Sequence, residues 1–167
     1  GYESLLNILE NDPMTIQPNL VKLFKCLGIN KNKSIDANVL HIVMKLSKGR
    51  TLLARSLELH IVPKAILSNL LPVSLRIMYQ EKKDSDDRLF GAWTNLLKNV
   101  TEWDGSFLLQ AVDVVMEHSK TALETHSGMV LTHALLQRAN ETAATNAEFA
   151  LRWNTTERAF LNLLSGM

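Results

Sequence analysis

Apolar residues recur at helical spacing along almost the whole chain, and short polar breaks separate one run from the next. Within each run the apolar positions lie three or four residues apart, as they do on one face of an α-helix. The predicted apolar stripes lie in residues 2–10, 20–28, 39–46, 52–59, 66–78, 89–100, 107–116, 120–144 and 147–164. No segment alternates apolar and polar residues convincingly, as a half-buried strand would. The pattern therefore predicts an all-α protein.

Capping residues indicate where several of these helices begin. A Ser or Asp side-chain oxygen can accept a backbone N–H of the first helical turn, which otherwise has no partner. Ser34 or Asp36 precedes the third predicted helix, Ser47 precedes the fourth, and Asp104 or Ser106 precedes a later one. We expect helices to begin at these positions.

Two features interrupt the helical pattern. Pro72 follows Leu70 and Leu71 on an otherwise helical stripe, and because proline lacks an N–H we expect a kink or a break there. The stretch near residues 80–87 has almost no apolar content and is predicted to be a flexible surface connection.

Eight or nine helices of this length, joined by short loops, predict a single domain over residues 1–167. The expected architecture is an α-α superhelix of stacked antiparallel helix pairs, similar to HEAT or armadillo arrays. No strict repeat of about 40 residues is visible, so the repeats are expected to be irregular. A compact helical bundle is the alternative.

Charge divides the chain into two halves, although the net charge is only +1. Residues 1–83 contain twelve Lys or Arg against six Asp or Glu, whereas residues 84–167 contain six against eleven. The basic half is suited to polyanions or to an acidic protein surface, and the acidic half could serve a different partner. A merely solvated face would produce the same bias.

Four cations near the start of the basic helix, which we call the basic edge, are the candidate RNA or phosphate site: Lys45, Lys48, Arg50 and Arg55. A helix start has free amides and a favourable dipole for anions, so it is a suitable place for a phosphate. Cations in the first turn of a helix are disfavoured by the same dipole, and helix stability therefore does not explain them. An ordinary solvated helix start is the alternative interpretation.

Catalytic and metal chemistry have little support in the sequence. His126 and His133 share a helix face, but that face offers no third ligand, and Cys26 has no histidine at helical spacing. The sequence has no glycine-rich phosphate loop, and the three tryptophans are expected in the core rather than stacked on bases. No run approaches the roughly 18 apolar residues of a membrane span. We expect a soluble binding protein with no enzymatic activity, no metal and no cofactor.

Several stretches resemble the C-terminal domain of the PAT family of deadenylation-dependent mRNA-decapping factors, first named as topoisomerase II-associated proteins. The start of the chain is similar to the family's first helix, with an aromatic residue, leucines and closing acidic residues. Lys48-Gly49-Arg50, within residues 35–55, is similar to the family's Lys-Gly-Lys/Arg turn that enters a helix. Residues 128–141 are similar to its leucine-rich helix ending in Ser/Gln-Arg-Gly/Ala-Glu, and 153–164 to its final Trp and Phe helix.

The resemblance implies a non-catalytic scaffold that promotes decapping of deadenylated mRNA. Such a domain binds the heptameric Sm-like ring, receives leucine-rich helical motifs of the decapping enzyme and contacts single-stranded RNA weakly. It implies a location in cytoplasmic P-bodies, with the nucleus as a second location. We expect the chain to be a monomer when alone. A helical protein–protein adaptor that binds no RNA is the alternative function, and an enzyme with an unrecognised site is a third.

A groove for a leucine-rich helical motif is expected in the acidic half. Helical arrays expose grooves between neighbouring helices, and an amphipathic helix can lay its apolar face into one. We predict that this groove lies near Leu108, Val112, Val115 and Leu135.

Overall fold

A computed structural model of the protein describes residues 35–45, 47–81 and 87–165 of the chain. These residues form eight helices and no strand. The helices are α1 (Ala37–Lys45), α2 (Ser47–Glu58), α3 (Lys64–Glu81), α4 (Asp87–Asn99), α5 (Gly105–Glu117), α6 (Ser119–Ala122), α7 (His126–Thr145) and α8 (Ala147–Ser165). The predicted helices at 2–10 and 20–28, together with Cys26, lie outside the described residues.

The long helices pack in two layers. In one layer α3 packs against α1 and α5, and α5 packs against α8; in the other α4 packs against α2 and α7. The contacts of α1 with α2, and of α7 with α5 and α8, join the layers. Alternate helices thus stack in the same layer, which is the arrangement of an α-α superhelix. The predicted fold class is confirmed.

Aspartate side chains cap two of the helices where capping was expected, whereas the side chain of Ser47 lies outside the described residues. The Asp36 carboxylate accepts the backbone N–H groups of Asn38 and Val39 at 2.9 and 3.3 Å, and Asp104 accepts that of Ser106 at 2.9 Å. In both cases these bonds satisfy first-turn donors that the helix leaves free. Asp36 and Asp104 are therefore confirmed as the caps of α1 and α5.

Pro72 does not break its helix, since α3 is continuous from Lys64 to Glu81. A proline inside a helix costs about 3 kcal/mol, because it removes one backbone hydrogen bond and crowds the preceding turn. Leu70, Leu71 and Leu75 are fully buried around it, and burial of each leucine side chain contributes about 1.5–3 kcal/mol. Packing of α3 therefore outweighs the local penalty. Of the two expected outcomes at Pro72, a kink or a break, the break is wrong.

The single long helix expected over residues 120–144 is also wrong, because the chain turns between α6 and α7. Thr125 leaves the helical conformation, with φ −112° and ψ 156°. Its hydroxyl oxygen accepts the backbone N–H of Gly128 at 3.0 Å and so caps a new helix. The apolar stripe continues on both sides of this turn, and periodicity alone did not reveal it.

Aromatic residues fill the core, as expected for the tryptophans. Trp93 and Trp153 are 0% and 1% exposed, and Trp103 is 8% exposed. The indole N–H of Trp153 donates to the Asn140 side chain at 2.8 Å, and that of Trp103 donates to the Val100 carbonyl at 2.9 Å. None of the three presents a face on which a base could stack.

The predicted flexible connection is only partly within the described residues. Gln80 and Glu81 are the last residues of α3, and α4 begins at Asp87. Residues 82–86 lie outside the description, so the expectation about them stays a prediction.

Candidate functional site

The basic edge lies at the junction of α1 and α2. Lys45 is the last residue of α1 and is exposed, whereas Arg50 and Arg55 on α2 are partly buried. Lys48 lies in the first turn of α2, but its side chain is outside the described residues. The four cations are close together along the chain, but the structure does not expose them equally to a ligand.

Arg50 forms a largely buried ion pair within the protein. Its guanidinium Nη1 lies 2.7 Å from Glu81 Oε2, and the two side chains are only 13% and 10% exposed. Glu81 Oε1 lies 3.6 Å from His41 Nε2 of α1, which is beyond hydrogen-bond distance, so the close ion pair joins α2 to α3. Arg50 near the start of α2 and Glu81 at the end of α3 each oppose their own helix dipole, and the ion pair between them offsets that cost. A polyanion is not needed to explain Arg50.

Replacing Arg50 by methionine should lower the free energy of unfolding by about 2 kcal/mol, because the Glu81 carboxylate is left largely buried without its charged partner. Urea denaturation measures the change. Lys45→Met is the control, since an exposed cation should cost less than about 0.5 kcal/mol. The double variant Arg50→Met with Glu81→Met should recover part of the loss, and a single variant no less stable than the control would contradict the assignment.

Gly49 of the Lys-Gly-Arg motif also has a structural explanation. A Cβ added there would lie 2.1 Å from the Val43 carbonyl oxygen of α1, so only glycine lets the two helices approach this closely. Two of the three motif residues thus have structural roles, Gly49 at the contact of α1 with α2 and Arg50 in the ion pair between α2 and α3. This motif alone does not specify an RNA site.

The partner groove expected near four apolar residues is wrong. Leu108, Val112 and Leu135 are 0% exposed and Val115 is 1% exposed. Their helices, α5 and α7, pack against each other, and α5 also packs against α3 and α8. These side chains therefore belong to the core and cannot receive a partner without unfolding it. The apolar stripe formed by these residues is a core face and not an exposed groove.

A groove does occur in the layer of α1, α3 and α5, with a volume of about 400 Å³. It is lined by Ala37, Asn38, His41, Pro72, Val73, Arg76, Ile77, Gln80, Gln110, Asp113, Val114 and Glu117. We call it the α3 groove, because α3 packs against both other helices and so lies between them. Pro72 and Ile77 of α3 are buried beneath it, whereas Arg76 and Gln80 of α3 and Asp113 and Glu117 of α5 are exposed.

The charged groups of the α3 groove are unequally paired. Arg76 Nη2 lies 3.6 Å from Glu117 Oε2. Asp113 makes no hydrogen bond or ion pair with any residue that the structure describes. Burial of its carboxylate, and secondarily the charge of Glu117, raise the pKa of Asp113, while the more distant Arg152 acts in the opposite direction. The groove thus carries one carboxylate without a close cation.

A sequence signal for this groove existed and was missed. Asp113 and Glu117 are four residues apart on α5, which is otherwise strongly apolar. Like charges at this spacing face each other and destabilise a helix by a few tenths of a kcal/mol. Helix stability therefore does not explain Asp113 and Glu117, and the same argument identified the basic edge as a candidate site.

Neither metal ligation nor a membrane span is supported by the described part of the chain. Its His, Cys, Asp and Glu residues form no group of three that could hold a metal ion. Among the same residues, no helix is both long and apolar enough to cross a membrane.

Comparison with known proteins adds no assignment. No protein-family model, curated protein or solved structure matches the chain.

Proposed function

We propose that the chain is a non-catalytic scaffold of cytoplasmic mRNA decay. It binds the heptameric Sm-like ring and leucine-rich helical motifs of the decapping enzyme, and contacts single-stranded RNA weakly. The mRNA-decay assignment rests on the resemblance to the PAT family. The observation that supports a binding role is the two-layer superhelix with the exposed α3 groove on one layer.

A specific observation favours the second candidate, a protein–protein adaptor that binds no RNA. Arg50 is held in an ion pair with Glu81 at 2.7 Å and is largely buried, so it has little capacity for phosphate. The remaining cations of the basic edge are Lys45, Lys48 and Arg55. Three phosphate contacts give only weak, salt-sensitive affinity for a single strand.

The two candidates predict different results for RNA. If the scaffold contacts RNA, fluorescence anisotropy with a labelled oligouridine should show binding at low salt, with a log–log salt slope of about −2 for three neutralised phosphates. The variant Lys45→Gln, Lys48→Gln, Arg55→Gln should flatten the slope and leave thermal stability nearly unchanged, because Arg50 is retained. If no RNA binding is detected at low salt, the RNA-contacting scaffold is excluded and the protein–protein adaptor is the remaining candidate.

The matched control removes three exposed cations elsewhere, in the variant Lys98→Gln, Lys120→Gln, Arg158→Gln. Equal loss of affinity in both variants would show that net charge, and not the basic edge, attracts the RNA. A pulldown of purified Sm-like ring with the wild-type chain tests the assignment to mRNA decay. Failure to capture the ring at micromolar concentrations of both proteins would remove that assignment.

A further inference from the structure

We propose that the α3 groove binds an amphipathic helix of a partner protein, with the apolar face of that helix on α3 and a lysine or arginine of the partner at Asp113. This inference deepens the proposed scaffold function and rests on it for the chain's role as a binding protein. It replaces the location near Leu108 and Leu135, which the buried core excludes.

The shape of the groove suits a short stretch of helix. The α3 residues that line it fall between Pro72 and Gln80 at positions 72, 73, 76, 77 and 80, which form one helical stripe. At 1.5 Å per residue this stripe is about 12 Å long, or a little over two turns of a partner helix. Parallel stripes from α1 and α5 border it, so the partner would contact three helices at once.

The apolar floor alone provides limited affinity. Ile77 and Val114, which lie in the floor, are only 4% and 1% exposed, and Val73 is partly buried. Because so little apolar area remains to be covered, hydrophobic burial cannot by itself select a tight partner. Charged and polar contacts at the margins must therefore contribute to specificity.

Charge complementarity identifies the sign of the partner. Arg76 already has a carboxylate nearby, with its Nη2 3.6 Å from Glu117 Oε2, whereas Asp113 has no ion pair among the described residues. The other charged or titratable groups near the carboxylate are His41 from α1, on the same groove, and the more distant Arg152 from α8. Asp113 is exposed, so a basic side chain of a partner could pair with it, whereas an acidic one would meet two carboxylates.

The raised pKa of Asp113 agrees with this assignment. Since the fold makes ionisation of this carboxyl group harder, the charged form destabilises the folded state. The penalty is absent below the unfolded pKa of about 3.9 and grows as the pH rises towards and through the raised folded pKa. Asp113→Asn should therefore be at least as stable as wild type at pH 7 and equal to it at low pH, so that a loss of binding does not arise from unfolding.

Two fluorescein-labelled peptides of 14 residues test the proposal. Both have the same amphipathic pattern of leucines, with lysine at every polar position in one and glutamate in the other. The Leu–Lys peptide should bind the full chain, and Asp113→Asn should weaken its binding about twofold to fivefold, because an ion pair at an exposed carboxylate is lost. Glu148→Gln is the matched control, since it removes an exposed carboxylate on α8 outside the groove and should leave the affinity unchanged.

Each other outcome overturns the proposal. Equal affinity for wild type and Asp113→Asn would show that the peptide binds elsewhere, and tighter binding of the Leu–Glu peptide would reverse the sign of the partner. Sedimentation that shows a dimer lost in Asp113→Asn would make a second copy of the chain the occupant. Ring capture separates this inference from the proposed function. If the chain captures the ring but peptide binding does not depend on Asp113, only the inference about the α3 groove fails. If peptide binding depends on Asp113 but the ring is not captured, only the mRNA-decay assignment fails.

Discussion

Replacing Arg138 by methionine should lower the free energy of unfolding by about 3 kcal/mol. The Arg138 side chain is 7% exposed. Its guanidinium donates to the carbonyl oxygens of Leu97 at 2.8 Å and Lys98 at 3.0 Å, in the last turn of α4. These carbonyls have no partner within their own helix, and a methionine cannot donate to them. Each buried carbonyl left without a partner costs about 1–3 kcal/mol.

Thermal denaturation should show this loss as a midpoint about 6–12 °C lower, given that 1 kcal/mol corresponds to about 2–4 °C for a chain of this size. Arg158→Met is the control, because Arg158 is exposed on α8 and should cost less than about 0.5 kcal/mol. If Arg138→Met matched this control, the capping role of Arg138 would be refuted.

This capping role also explains part of the late motif that resembles the PAT family. Arg138 Nη1 lies 2.7 Å from Glu141 Oε2, and Ala139 is fully buried. The Arg, the small residue and the Glu of the motif therefore have structural tasks at the contact between α4 and α7. The motif can be required by the fold without marking a surface that a partner touches.

Replacing Gly128 by alanine should destabilise the protein by at least about 3 kcal/mol. A Cβ at this position would lie 2.1 Å from the Ala122 carbonyl oxygen and 3.1 Å from the Thr125 hydroxyl oxygen. The first contact is with backbone, so relief requires α6 and α7 to move apart, and the second is with the atom that caps α7. Overpacking of this kind commonly costs about 1–3 kcal/mol, and a rigid backbone neighbour places it at the upper end or beyond.

Gly91→Ala is the matched control, and its expected change has the opposite sign. Gly91 lies inside α4, is exposed, and an added Cβ would have no atom within 4 Å. Alanine should therefore stabilise the helix by about 0.5–1 kcal/mol through its better helix propensity. Urea denaturation of both variants measures the difference, and a Gly128→Ala variant as stable as Gly91→Ala would be incompatible with the close approach of α6 and α7.

The helical fold could be predicted because its causes are local. A helix bonds each residue to the one four positions away, and its apolar face repeats with nearly the same period. The evidence that α4 is helical therefore lies within its own residues. The caps Asp36 and Asp104 act on N–H groups two or three residues ahead. Interactions of such short range are visible in the sequence before any tertiary contact is known.

The candidate site could not be predicted in the same way, because its residues meet only through packing. Arg50 pairs with Glu81, 31 residues later, and Arg138 bonds to carbonyls 40 and 41 residues earlier. The α3 groove combines stripes of three helices that are far apart in the chain. An apolar stripe indicates that a helix has a face to bury, but not which neighbour covers it. The stripe that includes Leu108 and Val112 is therefore equally compatible with a core position and with a groove, and only packing shows that it is buried.

The sequence by itself thus determined that most of residues 37–165 are helical, where α1 and α5 begin, and that the helices stack as a superhelix. Tertiary structure decided that Pro72 stays inside a helix and that Arg50 is held in an internal ion pair. The physical reason is the range of the interactions. Helix periodicity and capping act over about four residues, whereas burial, close backbone approach and ion pairing depend on which helices lie side by side.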